Sequence, residues 1–116
     1  MKIYQACFIF LLVSCGQSLS KNRKEELWIM VKSNNIDSII DATIEIREAK
    51  DTSMTDAILY HADDPRVTNR LSHKGMSVYQ IKMQALKSLT GVNPPKQVTY
   101  DVDTSVIRFY SNLVKK

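Results

Sequence analysis

The chain has 116 residues, with 16 lysines and arginines against 12 acidic residues and a net charge of +4. This length suits one domain rather than two, and a domain near this size buries about 60 to 70% of its unfolded surface, enough for one unaided core. The slight basic excess is interleaved with acids, which argues against a broad nucleic-acid-binding face.

The N-terminus opens with a single positive charge at Lys2, then an apolar run from Ala6 to Val13. Eight residues span about 12 Å as a helix, far short of the roughly 30 Å hydrocarbon core of a bilayer. The length matches the apolar core of a signal peptide instead, so residues 1–14 are set aside from fold reasoning. Leu12-Val13-Ser14-Cys15-Gly16 then resembles the lipobox of bacterial lipoproteins: Leu at −3, a β-branched residue at −2, Ser at −1 and the Cys. The resemblance implies cleavage before Cys15, with diacylglyceryl on its thiol and an acylated new amine. Two or more acyl chains hold a protein on a membrane essentially permanently. An ordinary secretory signal, releasing a soluble chain, is the alternative, because Ser14-Cys15-Gly16 also fits a small-residue cleavage site. Cys7 is lost with the leader and Cys15 is blocked, so the mature domain is expected to hold no disulfide. Gly16 is not acidic, and no Asp or Glu precedes Glu25. By resemblance to known sorting rules this points to the outer membrane, facing the periplasm.

Residues 15–24 read as the lipidated cysteine and a polar tether, and 25–116 as a helical domain. The run Lys21-Asn22-Arg23-Lys24 is either a linker facing anionic headgroups or a solvated helix start. A first helix is expected over about Lys24–Lys32, burying Leu27, Trp28, Met30 and Val31. Asp37 is the expected cap of a second, about Ser38–Lys50, with Ile36, Ile39, Ile40, Thr43 and Ile44 at helical spacing. Ser53-Met54-Thr55-Asp56 resembles a capping box opening a third helix, about Met54–Ala62, stopped by Asp63-Asp64-Pro65. Ser77-Val78-Tyr79-Gln80 resembles another, opening a fourth helix that runs to about Thr90. Gly91 supplies its left-handed closing residue, and Pro94-Pro95 forbid continuation. Val78, Ile81, Ala85, Leu86 and Leu89 form its stripe, widened by Tyr79 and Met83, which predicts contact on two sides. Gln97–Val102, with alternating Val98, Tyr100 and Val102, is read as a packed loop. Asp103 caps a fifth helix with Val106, Ile107, Tyr110, Leu113 and Val114 inward, and Lys115-Lys116 suit the dipole at its end. The fold expected is all-α, about five helices in antiparallel pairs.

Ala57-Ile58-Leu59, Asp64-Pro65-Arg66-Val67 and Ala85-Leu86-Lys87-Ser88-Leu89-Thr90-Gly91 together resemble a HEAT-like repeat, including its bilin-lyase variety. In that family an Asp-Pro turn joins two helices, and the second ends in Ala-Leu-x-x-Leu. Here Thr68–Met76 intervenes after the valine, and Tyr79 and Lys82 stand where the family often has Arg and Ala. The helices before Ser53 resemble at most a degenerate earlier repeat, so a compact cap-like piece or a generic small bundle is expected.

His61, Asp63, Asp64 and His73 alone have metal-ligand character, but the Asp-Pro turn accounts for the acids, and zinc needs three or four convergent ligands. No metal or cofactor is expected. Ser77 is explained by its capping position, and the chain carries no Gly-x-Ser-x-Gly elbow, phosphate-binding glycine loop or His-Glu-x-x-His helix. The expectation is therefore a non-catalytic scaffold or adaptor that docks an envelope protein. The candidate contact residues are Arg66, Arg70, His73 and Lys74 in the basic insert, with Tyr79 and Tyr60 as aromatic anchors. The alternative is an anchored immunity or inhibitor protein that occludes a toxin or hydrolase.

Overall fold

The computed structural model describes residues 19–115, so the predicted leader and Cys15 lie outside the described residues. Among the described residues five α-helices follow one another: α1 (Lys21–Lys32), α2 (Ile36–Ala49), α3 (Thr55–Leu59), α4 (Val78–Thr90) and α5 (Thr104–Val114). Short 3-10 turns at Thr52–Met54 and Leu71–His73 punctuate them. Among the described residues there is no strand, and the one isolated β-bridge joins Val67 to Ser77.

Side-chain caps decide where the helices begin, because the first amides of a helix have no partner within it. Ser77 accepts from the Gln80 amide, and Asp103 from that of Ser105, as the sequence predicts. Gly91 closes α4 at φ 70°. Three starts differ. Ser20 caps α1 by accepting from the Arg23 amide, so Lys21–Lys24 is helix rather than tether. Asn35, not Asp37, caps α2 through the Ser38 amide. Asp51, not Ser53, caps the next segment by accepting from both the amide and the hydroxyl of Ser53. That segment spends its first turn as 3-10, and α3 ends at Leu59, short of the expected Ala62.

α1 and α2 form an antiparallel pair. Arg23 at the start of α1 grips Glu45 near the end of α2 at 2.5 and 2.6 Å, and Lys24 lies 3.4 Å from Asp51. α3 and α4 form a second pair: Tyr60, just past α3, meets Lys82 in α4, while Thr55 and Thr90 border one depression at the opposite end. α2 lies beside α4 in the same direction, since Ile39 and Ile40 pack on Val78 and Ile81 near both helix starts. α5 covers α3 and α4 with Val106 and Tyr110, both fully buried. The broad stripe of α4 is thus used on two sides, as its width predicts.

The main core joins Leu27, Ile46, Ile58, Tyr79, Leu86 and Tyr110, and Ile39, Ile40, Val78 and Ile81 form a smaller cluster. Burying each aliphatic side chain contributes about 1.5–3 kcal/mol. Ile46, outside the predicted stripe, is fully buried, whereas Ile44 is only half-buried. The reason is that α2 is wedged between α1 and α4, which turns a second side of it inward.

Candidate functional site: a tied loop beside a lysine cleft

One end of the molecule gathers the turn between α1 and α2, the Asp63-Asp64-Pro65 turn and the insert Arg66–Met76. The insert is a tied hairpin rather than a free loop. The Thr68 amide donates to Met76 at 3.0 Å, the Gly75 amide to Thr68 at 3.1 Å, and the Val78 amide to Arg66 at 2.9 Å. Gly75, at φ 82°, makes the return turn that side chains resist. Arg66 is bound in a fork by Asp64 at 2.6 and 2.9 Å and also donates to the Asn34 carbonyl at 3.0 Å. Arg70 reaches Asp41 of α2 at 2.6 Å.

These ties reassign the candidate contact residues. Arg66 and Arg70 fasten the loop to α2 and to the turn before it, and their charges are matched by acids. His73 is half-buried with its Nδ1 2.8 Å from the Ser72 hydroxyl, while Lys74 is exposed. Tyr79 is 0% exposed and sits in the main core, so it cannot be a surface anchor. Its position on the widened stripe of α4 explains the correction, because α5 covers that side. Tyr60 is half-buried against Trp28, ring centroids 6.1 Å apart.

Sequence reasoning passed over the loop's most distinctive residue, Leu71, which is 94% exposed at the 3-10 turn, with Val67 45% exposed at the loop's base. In a polar stretch with no periodicity, one leucine carries no signal. Only the hydrogen-bonded frame shows that it is held out to solvent.

Beside the loop lies a cleft of about 420 Å³, lined by Lys32, Tyr60, His61, Asp63, Asp64, Arg66 and Lys82 among others. Lys82 forms its floor, 1% exposed, and its ammonium donates to the Tyr60 carbonyl at 2.5 Å. Burial pushes this ammonium down to about 8, against the opposing pull of Asp64 and Asp63. Burial also works against the Asp64 carboxylate, but hydrogen bonds from the Arg66 side chain and amide outweigh it and hold the group below its usual range. Lys82 did carry a sequence signal, since it falls four residues from both Val78 and Leu86, inside the apolar stripe.

The lip of the cleft is a tight turn. Tyr60 at φ −62°, ψ 121° and His61 at φ 48°, with the Ala62 amide bonded to the Leu59 carbonyl at 3.2 Å, form a type II turn. Its third position favours glycine, yet His61 occupies it and stacks on the Tyr60 ring at 4.3 Å. His61 and Asp63 line the cleft whereas His73 belongs to the loop, and no three His, Cys, Asp or Glu side chains converge among the described residues. The Ser77 hydroxyl is fully buried and engaged in capping α4.

Among the described residues no helix is long and apolar enough to cross a membrane. No protein-family model, no curated protein sequence and no solved structure matches this chain.

Proposed function

We propose that this chain is a lipid-anchored envelope protein whose helical domain docks a protein partner through the Arg66–Met76 loop, without catalysing a reaction. The observation that carries the docking role is Leu71: a fully presented apolar side chain on a loop fastened at its base and flanks. A rigid loop loses little conformational freedom on binding, so an exposed leucine on it is a pre-organised contact. Lys74 adds an exposed charge on the same loop. The anchor rests on Leu12-Val13-Ser14-Cys15, which resembles a lipobox, and the neutral Gly16 favours the outer membrane. The paired antiparallel helices, with α2 beside α4 in the same direction, support a small HEAT-like unit as the scaffold.

The test has two parts. Alkyne fatty-acid labelling should mark the wild-type protein and fail on Cys15→Ser. A photo-crosslinking residue at Ser72 should capture one dominant protein in cells. Labelling that persists in Cys15→Ser would remove the anchor. Capture of only the most abundant envelope proteins would remove the docking role.

A further inference from the structure

The two ends of the helical domain are chemically distinct, and the chain leaves from one of them. The Leu19 amide donates to Asp51 at 3.4 Å, just past the end of α2. The start of α1 is fastened to the same end by Arg23–Glu45 and Lys24–Asp51. The tied loop and the lysine cleft occupy the other end, through Arg70–Asp41 and Arg66–Asn34. α4 runs the distance between them, from Ser77 beside the loop to Thr90 beside Thr52 and Thr55. Its 13 residues set a separation of about 20 Å.

Resting on the lipid-anchor reading, we infer that the Leu71 loop and the Lys82 cleft form the membrane-distal face, presented to a partner in the aqueous space. Four residue steps separate Cys15 from Leu19, so the lipid-bearing Cys15 backbone lies within about 14 Å of the Leu19 end. Tipping the domain flat would need an attractive side, and on α1 the exposed Ile29 stands alone, flanked one turn away by the exposed charges of Glu25, Glu26 and Lys32. The exposed charges of α1, Lys21, Glu25, Glu26 and Lys32, balance, and the neighbouring cations Arg23 and Lys24 are held by Glu45 and Asp51. Anionic headgroups therefore gain little from that side. The exposed Leu71 then faces water rather than acyl chains, and the partner that fits it is a soluble protein surface with an apolar pocket and an acidic group to meet Lys74.

The experiment uses the full, lipidated protein carrying Ser72→Cys or Asn22→Cys, each labelled with a fluorophore. The proteins are reconstituted in vesicles containing an acceptor dye on the lipid headgroups. Energy transfer from position 22 should exceed that from position 72 at least threefold. Equal or reversed transfer, with the protein floating with the vesicles, overturns the orientation and leaves the anchor standing. Protein that does not float with the vesicles overturns the anchor, and the orientation with it.

Discussion

Lys82 donates to the Tyr60 carbonyl from inside the core, tying the end of α3 to the first half of α4. A helix of five residues is too short to persist unaided. Its closing carbonyl needs a donor, and α4 supplies one from its apolar face. The cost is a buried ammonium, which sets the pH behaviour of the domain.

From about pH 8 to 10.5 the unfolded chain keeps a lysine proton that the folded protein has released. Stability should rise with pH through that window, because the unfolded state binds more protons. The full amplitude is about 3 kcal/mol at 1.36 kcal/mol per pH unit. Burial raises the Tyr79 and Tyr110 hydroxyls, and these act in the opposite sense above pH 10. Urea unfolding of the wild type and Lys82→Met at several pH values isolates the lysine: the wild type should gain stability relative to the variant from pH 7.5 to 10. Parallel curves would contradict a buried, charged Lys82.

His61→Gly should stabilise the domain by about 1 kcal/mol, since the third position of the type II turn at φ 48° resists a Cβ. Loss of the stack on Tyr60 offsets part of that gain. The urea midpoint should rise with an unchanged slope. A fall would mean that the imidazole contributes more than the backbone relief returns.

Asp64→Asn should destabilise the domain by about 1.5–3 kcal/mol at pH 7, the range for hydrogen bonds to charged groups. Asp64 receives the Arg66 guanidinium and amide while largely buried. Its lowered carboxyl contributes fully above the ordinary value of 3.8 and is lost as pH falls through the folded value. Wild type should therefore lose more stability than Asp64→Asn between pH 5 and 2.5 in acid-dependent urea melts.

Tyr79→Phe should leave stability unchanged or raise it by about 1 kcal/mol. Among the described residues the buried Tyr79 hydroxyl meets only the Asp103 backbone, too loosely for a full hydrogen bond, and an unmet polar group costs more than its removal. A loss above about 1 kcal/mol in a thermal melt would show that the hydroxyl is satisfied after all.

The long helices were legible because their signals were local. Ser77 and Gly91 bound α4, and Asp103 opens α5, through contacts within a few residues. The shorter-range errors arose where two capping residues compete: Asn35 precedes Asp37, and Asp51 takes the amide that Ser53 would need to leave free. The candidate site was less legible because its members are assembled from distant turns. Arg66 and Arg70 look like free cations until Asp64, Asn34 and Asp41 arrive from elsewhere in the chain. Tyr79 looks amphipathic until α5 covers it, and Leu71 looks ordinary until the loop is closed beneath it.

The most direct test of the docking account compares two exposed apolar residues, Leu71 on the loop and Ile29, 71% exposed on α1. Each is changed to Asp in protein carrying the crosslinker at Ser72, with folding checked by circular dichroism. The account predicts that Leu71→Asp reduces capture of the dominant partner at least tenfold while Ile29→Asp leaves it intact. Undiminished capture by folded Leu71→Asp would contradict the claim that this loop is the docking surface.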